Sequence, residues 1–248
     1  MPAALRWAIR AVLVLLAAFV LLQLWYAAHI WWWRDHPPRE TAFMSARLAE
    51  LKKVNPGARL QYVWVPYQRI SVQLKRAMIA AEDARFVEHE GFDWEGIQHA
   101  IDKNLKKGRV VAGGSTISQQ LAKNLFLSGE RSYWRKGEEA LITVMLEAIL
   151  DKRRIFEIYL NVIEWGTGVF GSEAAARHYF GTSAAQLDAE QAARLAAMTP
   201  NPRRYERNPG YLTPHEALGS NAHRTHVAPR IGHRGKNAHR VTSASASG

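Results

Sequence analysis

Cysteine is absent from the 248 residues, so the chain has no disulfide, no thiolate nucleophile and no cysteine-ligated zinc or iron–sulfur cluster. Acidic residues are scarce beside basic ones, 22 against 33, which leaves a formal net charge of +11. That excess excludes an acidic solvating protein and points to an anionic partner such as nucleic acid, lipid headgroups or a phosphorylated substrate. No internal repeat is present, and strands do not alternate with helices. A P-loop is missing too, since Gly-x4-Gly-Lys-Ser/Thr occurs nowhere. With 48% hydrophobic residues, the length suits one globular domain with a substantial core.

Formal charge is also missing from one long stretch, residues 11–33, which as a helix would span roughly 34 Å, enough to cross a bilayer. It exceeds the roughly 7–15 apolar residues of a signal-peptide core and no Ala-x-Ala site follows it, so it reads as an uncleaved transmembrane anchor. Arg6 and Arg10 precede it, while Arg34, Asp35, Arg39 and Glu40 cancel after it. The positive-inside rule then puts residues 1–10 in the cytoplasm and the remainder outside. Trp25, Tyr26 and Trp31 to Trp33 suit the outer interface, and His36-Pro37-Pro38-Arg39 reads as a stiff exit into a juxtamembrane segment, residues 34–53.

Beyond it, residues 60–66 give nearly the only strand signal, and the class is mainly α. Ser71 is positioned to cap a helix with Leu74, Met78 and Ala81 on one face, ending at Glu82 and Asp83. Asp93 can cap the next, with Ile97, Ile101 and Leu105 expected inward and Gly108 as its stop. Thr116-x-x-Gln119 has the form of a capping box opening a helix with Leu121 and Leu125 on one face. Helices are further expected over residues 136–150, with Leu141, Val144, Met145, Ala148 and Ile149 in its apolar pattern, and over 155–162. A glycine-rich loop at 166–171 follows, then two alanine-rich helices over 172–180 and 188–198. From about residue 213 apolar periodicity is lost, and the stretch to 248 reads as a disordered tail whose irregularly spaced histidines do not suggest a metal site.

Three clusters could carry chemistry. In Glu82-Asp83-x-x-Phe86-x-x-His89-x-Gly91, acids at a helix end beside an aromatic and a histidine suit a partly buried pocket where a general base is tuned, or else form a solvated face. In Gly113-Gly114-Ser115-Thr116-Ile117-Ser118-Gln119-Gln120, with Lys123-Asn124 beyond, a diglycine turn feeds a helix start able to hold a phosphate or sugar; an ordinary capped helix start would explain Thr116 and Gln119 alone. Arg131, Arg135 and Lys136 then concentrate cations around Glu139, and Lys152 to Arg154 follow, ahead of Glu157-x-Tyr159-Leu160-Asn161; a pyrophosphate or nucleic acid would fit.

Together, in this order and over about a hundred residues, these blocks resemble the peptidoglycan glycosyltransferase family, in particular its single-anchor Gram-negative type without a penicillin-binding domain. The resemblance covers roughly residues 54–208, and the domain is placed at 54–212. It implies a lysozyme-like α fold acting on lipid II, with the membrane, the nascent glycan strand and other cell-wall synthesis proteins as partners and nucleic acid excluded. The location implied is the inner membrane, with one pass and a periplasmic catalytic domain. By carry-over, Glu82 is the general base and Glu139 supports the donor phosphate, with room for a divalent cation, Mg or Mn. Lys123, Arg131, Arg135 and Lys136 would neutralise the pyrophosphate. Ser115, Thr116, Gln119, Gln120 and Asn124 would position substrate, and Asp83, Phe86 and His89 would shape the pocket, with structural hydrogen bonding the alternative for Asp83 and His89. A glycan-cleaving lysozyme-like enzyme and an inactive envelope scaffold are the rival readings. Family members usually finish with an amphipathic helix after the segment seen here as Asn201-Pro202-x-x-Tyr205; its absence after Leu212 raises a frameshift near Thr213, which resequencing would test.

Overall fold

The computed structural model describes residues 2–109, 113–127 and 132–207. The expected tail, the suspected frameshift and Arg131 lie outside these residues. The chain opens with α1 (Ala3–Trp32), which begins eight residues before the uncharged stretch and is long and apolar enough to cross a membrane. Its C-terminal end is more than a tether. Tyr26, Ile30 and Trp33 are buried in the main hydrophobic core, and Trp25, Tyr26 and Trp33 surround the Phe126 ring at centroid distances of 5.8, 4.8 and 5.1 Å. Part of the expected interfacial aromatic belt is therefore packed against the protein itself.

The stretch read as juxtamembrane holds all but the last residue of α2 (Ala42–Val54), capped by Thr41 and docked on the domain through Met44 and Arg47. There follow β1 (Gln61–Tyr62), a 3-10 turn (Tyr67–Arg69), α3 (Val72–Glu82), α4 (Trp94–Lys107), α5 (Ile117–Phe126), α6 (Tyr133–Ile149) and α7 (Lys152–Val162). Then come β2 (Glu164–Gly166), β3 (Val169–Phe170), α8 (Ser172–Phe180), α9 (Ala189–Met198) and α10 (Pro202–Arg207). The class is mainly α, as the periodicity implies.

The helix starts follow from their caps. Ser71 Oγ accepts the Gln73 N–H, Asp93 the Gly96 N–H and Asp188 the Gln191 N–H, and Gly108 ends α4 at φ +61°. Around α5, α3 packs on α9 while α5 lies between α6 and α7, and the core of Leu74, Met78, Ile117, Leu121, Phe156 and Tyr159 fills the space between them.

Three local expectations are corrected. The glycine-rich loop is a hairpin: β2 pairs antiparallel with β3, which pairs in parallel with β1 (Gln61 opposite Val169), giving the order β1-β3-β2. Strands of two and three residues are too short to show a period of two. Gly171 sits at φ +82°, where a Cβ would lie 2.5 Å from the Asn161 carbonyl oxygen, so glycine is needed to turn β3 into α8. On α4, Ile101 and Leu105 do not face inward; they are exposed with Trp94, and Ala100 alone is buried. On α6, Leu141, Val144 and Ala148 likewise face out, and Glu139, Ile142, Thr143 and Leu146 face in. Periodicity locates an apolar stripe but not what covers it, and on these two helices the protein core is not the cover.

Candidate active site

Glu82 is the last residue of α3 and Asp83 its C-cap, so the helix end delivers two carboxylates to one place. They then part. Asp83 turns inward: one oxygen accepts the Ile117 N–H at 3.0 Å, at the start of α5, and the carboxylate lies 3.0 and 3.1 Å from His89 Nε2. His89 Nδ1 accepts the Gly91 N–H at 3.2 Å, so Nε2 carries the proton and donates to Asp83. An acid at a helix N-terminus is stabilised by the unpaired N–H groups there, which ties α3 to α5.

Glu82 is half-buried and turns toward α5. Gln120 Nε2 donates to its Oε2 at 2.8 Å, and the Gln120 amide is in turn oriented by Tyr159, whose hydroxyl donates to Oε1 at 3.1 Å. Burial pushes the Glu82 carboxyl above its ordinary value; the Gln120 hydrogen bond and the nearby Lys123 ammonium pull it down, while Asp83 adds to the rise. The net direction is upward, the tuning a general base near neutral pH requires. Tyr159 is fully buried, and burial holds its phenol well above the usual range, so it remains a donor. The relay Tyr159–Gln120–Glu82 spans α7, α5 and α3, and the sequence reading missed Tyr159's part in it; the residue's place in the Glu157-x-Tyr159-Leu160-Asn161 block was the available sign. Tyr159→Phe should lower kcat by about fivefold, the worth of roughly 1 kcal/mol of hydrogen bonding, with KM little changed; initial rates check it.

The capping box at α5 is present. Thr116 Oγ1 accepts the Gln119 N–H at 3.2 Å, Gln119 Oε1 accepts the Thr116 N–H at 3.0 Å, and Thr116 Oγ1 also donates to the Gly91 carbonyl at 2.6 Å. Thr116 and Gln119 therefore bond within the protein, and so does Asn124, whose amide donates to the Gln120 carbonyl at 2.8 Å. Ser115 is exposed at the mouth of the turn. Phe86 is fully buried, 5.6 Å from the Phe156 ring. Asn161 is structural: its amide brackets Val65, donating to the carbonyl and accepting the N–H, both at 2.9 Å.

Glu139 lies on the inner face of α6, buried, with Lys136 donating to its carboxylate. Arg135, on the first turn of the same helix, has an Nε that is buried and lacks a partner. Its N–H groups are the donors an anion would satisfy. Among the described residues no three His, Asp or Glu side chains come together as a metal site, and Glu139 is already held by Lys136.

The transglycosylase family model matches residues 48–224. Proteins of Laribacter hongkongensis and Chromobacterium violaceum, each named biosynthetic peptidoglycan transglycosylase, are 66% identical to this chain. The matches run over 202 residues (82% of this chain, 89% of the relative) and 192 residues (77% and 84%). A third of the same name, from Dechloromonas aromatica, is 65% identical over 203 residues, 82% of this chain and 88% of the relative. With its mainly α fold and motif order in place, the chain belongs to the transglycosylase family.

Proposed function

We propose that this protein is a membrane-anchored peptidoglycan glycosyltransferase that polymerises lipid II. The observation that carries the reading is Glu82, a carboxylate at the end of α3 whose proton affinity is raised by burial and whose orientation is fixed by Gln120. In the transfer, Glu82 takes the proton from the 4-hydroxyl of the acceptor N-acetylglucosamine as that oxygen attacks C1 of the donor N-acetylmuramic acid. The bond from C1 to the pyrophosphate breaks, undecaprenyl pyrophosphate leaves with the electron pair, and configuration inverts from α to β. Lys123, Arg135 and Lys136, with Arg131, neutralise the charge that develops on the leaving group, the electrostatic contribution that grows most in the transition state. The orphaned Arg135 Nε supports this assignment. Glu139, paired with Lys136, orients that cationic set toward the donor.

The substrate's lipid tail calls for a site at the outer surface of a bilayer, and the exposed apolar residues support one. Tyr133, Trp134, Leu141 and Val144 are exposed on α6, the helix that packs against α1, and Trp94, Ile101 and Leu105 are exposed on α4. Lys103, Lys106 and Lys107 accompany the α4 stripe, the composition of an interfacial helix. On this reading the protein crosses the inner membrane once, with its N-terminus cytoplasmic and residues after α1 periplasmic, where other cell-wall synthesis proteins would meet it. A glycan-cleaving enzyme would need one acid but no cationic pyrophosphate site.

The test is incubation of detergent-solubilised full-length protein with labelled lipid II, with products resolved before and after muramidase. Muramidase-sensitive polymer is expected. A folded protein that makes no polymer but shortens finished glycan would overturn the reading in favour of cleavage, and one that does neither would favour a scaffold.

A further inference from the structure

Glu147 stands two turns beyond Glu139 on α6, outside every motif that points to the reaction. Its side chain is 9% exposed and bonded on two sides. Ser118 Oγ donates to its Oε1, and Lys152 Nζ donates to the same oxygen at 2.7 Å. The Lys152 ammonium lies 4.6 Å from the centre of the Phe86 ring. The turn after His89 rests on the same stretch of α6: a Cβ on Gly91 would come within 2.8 Å of Thr143 Cγ2 and 3.2 Å of Glu147 Cγ. Thr143 Oγ1 donates to the Glu139 carbonyl at 2.7 Å. Glu139, Thr143 and Glu147, four residues apart in turn, thus form one inner stripe of α6. Against it lie the loop carrying His89, the first turn of α5 and the start of α7.

Burying a carboxylate with an ammonium costs desolvation that apolar residues of the same volume would avoid, so stability alone does not account for such a pair. Position does. Ser118 follows Ile117, whose N–H holds Asp83, and precedes by two residues Gln120, which holds Glu82. A shift of Ser118 along α6 therefore moves both groups that orient the two acids at the end of α3.

We propose that Glu147 is a positioning residue for the transfer reaction: by gripping Ser118 and Lys152 it pins the start of α5 and the turn after His89 to α6, and so holds Gln120 against Glu82 at a fixed relation to Glu139. The proposal rests on the reading of Glu82 as the base. It assigns Glu147 an effect on turnover rather than on substrate affinity, because none of its contacts is to a group assigned to substrate.

The test compares full-length Ser118→Ala, Glu147→Leu, Glu147→Gln and Glu82→Gln with the wild type in lipid II polymerisation, measuring kcat, KM, the pH profile of kcat and the thermal midpoint. Misplacement of about 1 Å at a reacting centre can cost up to about 100-fold, so Ser118→Ala and Glu147→Leu should lose about 10–100-fold in kcat with KM within about threefold. The acid limb of kcat should move to higher pH, because a displaced Gln120 no longer lowers the Glu82 proton affinity. Glu147→Gln, which keeps an acceptor for Ser118, should regain most of the rate lost in Glu147→Leu. Ser118→Ala removes one hydroxyl from a helix that tolerates alanine, so it reports on the contact even where Glu147→Leu fails to fold. Wild-type kcat in Ser118→Ala, or losses that track the folded fraction with an unmoved acid limb, would overturn the proposal. Wild-type kcat in Glu82→Gln would instead overturn the base assignment; Ser118→Ala then decides the Glu147 contact alone, a fall in kcat at full folding supporting it and an unchanged kcat refuting it.

Discussion

Glu82→Gln is expected to abolish most turnover and to make the protein more stable at neutral pH. General-base assistance is worth about 10²–10⁴-fold, and the amide keeps the shape of the acid and an oxygen for Gln120 but cannot take a proton. The stability effect follows from the same burial. Because the folded state raises the Glu82 pKa above its unfolded value, the folded state holds that proton more tightly. Its contribution to stability is therefore present at low pH and lost as pH rises through the folded pKa. Above that point the enzyme carries an ionised carboxylate it has partly desolvated, and glutamine removes that cost. Thermal unfolding in detergent across pH 4–8 should show the variant above the wild type at the neutral end, with the difference closing toward the acid end. Initial rates over the same range should place the wild type's acid limb above the ordinary glutamate value. A variant with wild-type turnover would remove Glu82 from the reaction, and one less stable at every pH would show that the carboxylate serves the fold instead. A gain in stability paired with a loss of rate is the signature of a strained functional group.

Much of this arrangement was legible in the sequence because its determinants are local. Ser71, Asp93, and Thr116 with Gln119 cap helices through hydrogen bonds closed within three residues, so the starts of α3, α4 and α5 follow from the chain alone. The acids at the end of α3 were equally legible, being a helix terminus and its cap. What the sequence did not disclose depends on distance along the chain. Tyr159 reaches Gln120 across 39 residues and Gln120 reaches Glu82 across 38, so the relay exists only once α3, α5 and α7 pack. The α4 stripe was found, but its direction was not, because an apolar face reads the same whether protein or lipid covers it. The β2–β3 hairpin was hidden by strands too short for alternation. α2 was hidden differently: its stretch, with Glu50, Lys52 and Lys53 among apolar residues, reads as a polar exit from the membrane until Glu164 is placed beside it.

That last contact underlies the largest stability effect expected here. Arg47 on α2 forms a two-pronged ion pair with Glu164 on β2, Nε to Oε1 at 2.7 Å and Nη2 to Oε2 at 2.9 Å, with the two side chains 8% and 6% exposed. Removing one partner leaves the other charge buried. In Arg47→Met, Glu164 would retain the Gly168 N–H at 3.3 Å as its remaining donor, and the cost should be about 3–5 kcal/mol. At roughly 2–4 °C per kcal/mol for a protein of this size, the thermal midpoint should fall by on the order of 10 °C. The double variant Arg47→Met/Glu164→Leu should recover most of that loss, since apolar residues of similar volume satisfy the site without desolvating a charge. The loss should be global rather than confined to α2, because Glu164 precedes Trp165, which is fully buried, and β2 pairs with β3 at the centre of the small sheet. Hydrogen exchange separates the two cases. Faster exchange limited to residues 42–54, with an unchanged midpoint, would mean that α2 only rests on the domain; a lowered midpoint restored in the double variant would mean that Arg47 makes the segment after the anchor part of the folded unit, so that the anchor and the catalytic helices move as one body.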